Sequence, residues 1–118
     1  MWDTFNLQRF VEAQASGIYE QALHELRSGK KMSHWMWFIF PQHRDLGRSP
    51  TAKFYGLSGD EEAAAYLAHP SLGPRLRECA QAVGEQLKTG NTLEALFGET
   101  DARKYRSSMT IFGLLESS

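Results

Sequence analysis

Hydrophobic positions along the 118-residue chain recur mainly at three- and four-residue spacing, the period at which side chains return to one face of an α-helix. Near the amino end Leu7, Phe10 and Val11, and then Ile18, Tyr19, Ala22, Leu23 and Leu26, follow it, with Gly17 between the two stretches. The second stretch runs into Ser28-Gly29-Lys30-Lys31, where a glycine past the last periodic residue and basic side chains near a carboxyl terminus both suit a helix end. Ser58-Gly59-Asp60-Glu61 reads as a capping box that opens a helix over 62–69, stopped by Pro70. Leu72, Leu76, Cys79, Ala80, Val83 and Leu87 fall on one stripe of a long amphipathic helix that Gly90 closes. Asn91 or Thr92 is placed to cap a short helix through Leu93, Leu96 and Phe97, ended by Gly98. Thr100 or Asp101 is placed to cap a last helix, on which Ala102, Tyr105, Met109 and Phe112 share a face. No window alternates with the two-residue period of a strand between hairpin turns. The pattern predicts an all-α fold, a compact multihelical bundle of roughly five or six helices forming a single domain over 1–118.

One stretch obeys neither period. From Ser33 to Gln42 the chain reads SHWMWFIFPQ, with two tryptophans, two phenylalanines and a histidine in ten positions. Aromatic residues are ordinary core material, and one reading makes this the central core segment with Trp35 and Phe38 turned inward. The other makes it a pocket wall, because pockets set a few polar groups, here His34 and Gln42, among aromatics such as Trp35 and Trp37 to orient a ligand. His34 titrates near neutral pH without perturbation and so suits general acid or base chemistry as well as plain hydrogen bonding.

Two further clusters carry polar chemistry. In Leu46-Gly47-Arg48-Ser49-Pro50, serine followed by proline opens a helix, since proline at the first helical position gives up an N–H that would be unpaired anyway. Alongside that capping role, Gly47, Arg48 and Lys53 raise the alternative of an anion site. Towards the end, Lys104 and Ser108 stand four residues apart on one helix and are able to meet; neither the strained turn nor the Ser-x-x-Lys order of a serine hydrolase accompanies them. Cys79 lies in the apolar stripe, where a packed, inert thiol is the expectation.

Composition narrows the classes. With 13 Lys+Arg against 14 Asp+Glu and 42% hydrophobic residues, the chain has neither the charge excess of a disordered segment nor the basic footprint of a dedicated nucleic-acid binder. A single cysteine forms no internal bridge, which points to a cytoplasmic protein rather than a small secreted one. No signal peptide is visible, and the longest apolar run, Trp35 to Phe40, is far too short to cross a membrane. No histidine pair has metal-ligand spacing, so neither a metal nor a cofactor is expected.

The ordered set of motifs, with SHWMWFIFPQ at 33–42, LGRS at 46–49, YLAHP at 66–70, LGPRL at 72–76 and KYRSSMTIF at 104–112, resembles a widespread family of small bacterial proteins of unknown function. The resemblance covers nearly the whole chain and implies a mainly helical fold without assigning catalytic residues. The calpastatin label sometimes attached to that family does not suit this composition, since inhibitors of that name resemble disordered, repeat-built ligands. Members of the family usually continue past the last helix, so a further covering segment, or a second subunit in a homo-oligomer, is expected over Ile111, Leu114 and Leu115.

The leading functional expectation is a domain that binds a small anionic or nucleotide-like ligand, with Trp35 or Trp37 as a stacking wall, His34 and Gln42 orienting, Arg48 and Lys104 as charge partners, and Ser108 nearby. One alternative is a protein-interaction module using the exposed aromatics and the last helix; another is a hydrolase or transferase with His34 as acid or base. Whether the protein is an enzyme stays open at this level.

Overall fold

Most helix ends lie where local chemistry sets them. In the computed structural model, which describes residues 3–114, Gly17 (φ 84°) separates α1 (Gln8–Ala13) from α2 (Ile18–Ser28), and Gly29 (φ 92°) ends α2. These left-handed values favour glycine, which lacks a Cβ. Helix α3 (Met36–Ile39) is a single turn within the aromatic run, and α4 (Pro50–Phe54) starts as expected, with Ser49 Oγ accepting the Ala52 N–H and proline at its first position. A 3₁₀ turn, Arg44–Leu46, lies between them. Helices α5 (Asp60–Ala68), α6 (Leu72–Lys88), α7 (Leu93–Phe97) and α8 (Glu99–Phe112) follow, with Thr92 capping α7 through the Ala95 N–H.

The architecture is all-α, with eight α-helices among the described residues rather than five or six. The excess arises because the aromatic run and the segment after Ser49 wind into short helices of their own. Two expected caps are displaced. Ser58 does not cap α5: its N–H and hydroxyl both donate to Glu62 Oε1, at 2.8 and 2.9 Å, and Gly59 takes the cap position. Glu62 replaces Glu61 in this role because Glu62 is the buried residue, drawn inward by Arg9. Neither Thr100 nor Asp101 caps α8, which begins straight after Gly98 (φ 85°), the residue that also ends α7. His69, just past the end of α5, accepts the N–H groups of Ser71 and Leu72 on its Nδ1 and caps the start of α6.

Helix α6 packs against α2 and α5, and α8 against α5 and α7. The α5–α6 corner closes tightly: a Cβ on Gly73 would lie 2.1 Å from the Leu67 carbonyl oxygen, so no larger residue fits without moving main chain. Leu72, Leu76, Cys79 and Val83 of the long stripe are buried, while Leu87 at its end is exposed. Trp35, Phe40, Phe97 and Tyr105 form a ring cluster, with Phe40 and Tyr105 edge to face at a centroid distance of 4.9 Å, the geometry that ring quadrupoles favour. Ile111 and Leu114 pack against this core, and Leu115 lies outside the described residues. Among the described residues a lone parallel bridge, His43 to Leu57, is the sole β-type pairing, and no helix is long and apolar enough to cross a membrane.

Candidate functional site

The aromatic segment is held by a buried carboxylate. Glu25 Oε1 accepts the main-chain N–H groups of Met32 (2.7 Å) and Ser33 (3.0 Å) and the indole N–H of Trp35 (2.9 Å). Its Oε2 accepts the Ser33 hydroxyl (2.6 Å) and the Gln21 amide (3.2 Å). Burial works to raise the Glu25 pKa, but the bonds from Ser33, Met32 and Trp35 outweigh it and hold the carboxyl at about 2. Trp35 is therefore core, 1% exposed, with its N–H satisfied, and Phe38 is inward as well. Lys31 lies over the Trp35 ring at 5.3 Å and pairs with Asp101 at 2.9 Å, which stitches this segment to α8.

Of the other residues singled out by sequence, the structure brings Trp37 and Lys104 together. The Lys104 ammonium is 5.7 Å from the centre of the half-buried Trp37 ring, and Asp101 lies 3.7 Å from the same ammonium. His34 and Arg48 are exposed, and Gln42 is half-buried with its carbonyl accepting the Leu57 N–H. Ser108 is fully buried, and its hydroxyl has no partner among the described residues. Gly47 makes a close approach, but to Ala52 rather than towards open space.

Two surface depressions lie elsewhere, and none of those seven residues lines either. The first, about 560 Å³, is walled by Pro70 and Pro74 and floored by Tyr19. Tyr19 donates its hydroxyl to Glu78, and burial together with that bond pushes the phenol above its ordinary range, so Tyr19 is the proton donor of the pair. Glu78 also faces Arg27 at 3.5 Å. The Arg75 guanidinium lies 4.8 Å from the Tyr19 ring centre and donates to Gln14 Oε1 at 3.3 Å. Gln14, 2% exposed, donates in turn to the Phe38 carbonyl at 2.8 Å and contacts the Tyr66 hydroxyl. Arg75 is half-buried, and among the described residues no carboxylate comes within 4 Å of it. Arg77 stands exposed on the same rim.

The second depression, about 340 Å³, lies between the N-terminal segment and the 43–57 excursion. Its floor is the Arg9–Glu62 ion pair at 2.8 Å, with both side chains buried. Arg9 spends all five of its N–H donors: on Phe54 O, Phe5 O, Asn6 O, Gly56 O and Glu62. Sequence reasoning missed this pair because its members are 53 residues apart and the helical period places Arg9 on the face opposite Leu7, Phe10 and Val11, so no local signal marked it. Among the described residues no three His, Cys, Asp or Glu side chains gather closely enough to hold a metal ion.

Comparison with known proteins agrees with the resemblance seen in sequence. The model of a protein family of unknown function, DUF1810, matches residues 4–118, and the chain belongs to that family. The fold is similar to the crystal structure of a conserved hypothetical protein from Mycobacterium tuberculosis. The TM-score is 0.89 at 52% sequence identity, and the match covers 94% of this chain and 77% of that one. No curated protein matches.

Proposed function

We propose that this member of the DUF1810 family binds a small ligand bearing a carboxylate or phosphate group in the depression around Arg75. The observation that carries this reading is the state of the Arg75 guanidinium. It is half-buried and clamped between the Tyr19 ring and the Gln14 amide, and one of its five N–H donors is spent on Gln14. A guanidinium withdrawn from bulk water without a counter-charge is unfavourable, and a planar fork with free donors is matched by an oxyanion in bidentate geometry. Arg77 adds a second cation on the rim, while Glu78 is already engaged by Tyr19 and Arg27.

The test is a thermal-shift screen against dicarboxylates, inorganic phosphate and phosphosugars, because a ligand that binds the native state alone raises the melting temperature. Arg75→Gln should abolish the response, and Arg75→Lys should weaken it at least tenfold, since lysine keeps the charge and loses the fork. A hit that survives Arg75→Gln unchanged refutes this site.

The contact between Lys104 and Trp37 favours a second reading, in which the same class of ligand is held on the motif face with His34 and Gln42 orienting it. A hit lost in Lys104→Gln and retained in Arg75→Gln selects that reading.

A further inference from the structure

We infer that the groove between the N-terminal segment and the 43–57 excursion is a separate binding site, and that it takes a phosphate monoester attached to a planar ring, the chemistry of a mononucleotide. Three features of the groove carry this, and none of them depends on Arg75.

The first is the placement of charge. The 43–57 excursion holds Arg44, Arg48 and Lys53 against one acid, Asp45, whose solvent-exposed side chain faces His43 at 3.7 Å. Two of the cations, Arg44 and Lys53, line the groove, and among the described residues no carboxylate lies within 4 Å of either. The carboxylate in the groove, Glu62, is neutralised by Arg9 and occupied by both donors of Ser58. An anion entering here therefore meets two free cations and no free acid.

The second is that the main chain carrying the two cations is braced. A Cβ on Gly56 would lie 2.4 Å from Arg44 Cα, so glycine is what allows the two arms of the excursion to touch. The arms are then tied by Arg44 N–H to Leu57 O at 2.8 Å and Leu57 N–H to Gln42 O at 2.9 Å. Arg9 pins the far arm through the Phe54 and Gly56 carbonyls. Arg44 and Lys53 thus flank one groove on a braced frame, so the loop backbone need not be ordered on binding.

The third is an aromatic ring that the core does not use. Phe54 is 55% exposed, with its ring edge to face with Tyr55 at 4.9 Å, and half-buried Phe5, packed against the core, lines the same groove. An exposed ring beside two cations offers stacking to a planar group whose phosphate the cations hold. The volume, about 340 Å³, falls at the lower end of the range for small-molecule sites.

The experiment is an amide-resolved NMR titration of the full chain with adenosine 5′-monophosphate, adenosine and inorganic phosphate in parallel, repeated on Arg44→Gln/Lys53→Gln and on Arg75→Gln. Both groove cations are exposed, so the double variant should keep the native spectrum. Adenosine monophosphate should move the amides of Phe5, Lys53, Phe54 and Gly56, and adenosine and phosphate should each bind at least tenfold more weakly. The double variant should lose the response, and Arg75→Gln should retain it. Absence of shifts at millimolar nucleotide, shifts elsewhere, or an undiminished response in the double variant overturns the proposal. Phosphate binding as tightly as the nucleotide overturns the assignment of a planar ring.

Discussion

Replacing Glu25 by glutamine should weaken the fold at neutral pH and leave it little changed in acid. The carboxylate accepts five hydrogen bonds and is 6% exposed, and its pKa falls from 4.5 to about 2 on folding. A folded-state pKa below the unfolded one means that the unfolded chain takes up the proton first. The stabilisation is therefore complete above pH 4.5 and is lost as the pH falls towards 2. A drop of about 2.5 pH units at about 1.4 kcal/mol each bounds the effect near 3.5 kcal/mol, and screening on the half-exposed Ser33 side reduces it to about 2–3 kcal/mol. Glutamine keeps one oxygen for Met32, Ser33 and Trp35, but it turns an NH₂ towards the Gln21 amide and removes the charge. Urea unfolding followed by tryptophan fluorescence should show Glu25→Gln losing about 2–3 kcal/mol at pH 7, with the gap to wild type closing as the pH approaches 2. Because both proteins share every other titrating group, those contributions cancel in the difference. A gap of the same size at pH 7 and pH 2.5 would refute the reasoning, since packing rather than the charge would then be responsible.

Three further outcomes are expected. Glu62→Gln should cost about 3 kcal/mol for unpairing a buried charge, and Arg9→Met distinctly more, because four main-chain carbonyls lose their donor as well; denaturant titration giving the reverse order would be inconsistent with Arg9 as the hub. Gly73→Ala should lose about 2–3 kcal/mol by driving a Cβ into the Leu67 carbonyl, whereas Gly84→Ala on the same helix, with nothing within 4 Å, should gain about 0.5–1 kcal/mol in a thermal melt. Burial pushes the Cys79 thiol up to about 12, so iodoacetamide at pH 8 should leave the native protein unmodified and alkylate it fully in urea; rapid labelling of the native state would contradict its placement.

The helices were legible because their signals are local. Ser49 with Pro50, Thr92 before Leu93 and Gly29 after Ser28 act within one turn of themselves, and each stands where it was read. The displaced cap at Ser58 shows the limit: Glu61 and Glu62 are equivalent along the chain, and the choice between them is made by Arg9 across the fold. The same limit applies inside SHWMWFIFPQ. Trp35 and Trp37 sit on one short turn, and which of them is core follows from Glu25 and Lys104, neither of them a neighbour in sequence. Arg75 carried no mark of its own, because its clamp comes from Tyr19 and Gln14, both more than fifty residues away.

Arg9 also bears on the order in which the chain becomes secure. A helix of six residues near a terminus ordinarily frays, opening and closing independently of the rest. Here its one arginine reaches the carbonyls at 54 and 56 and the carboxylate at 62, none of which is in place until the excursion has closed and α5 has formed. Opening α1 therefore strands a buried carboxylate, and the first turns of the protein share the lifetime of its centre. In deuterium exchange the amides of Phe10 and Val11, which donate to Leu7, should be released with the core rather than ahead of it.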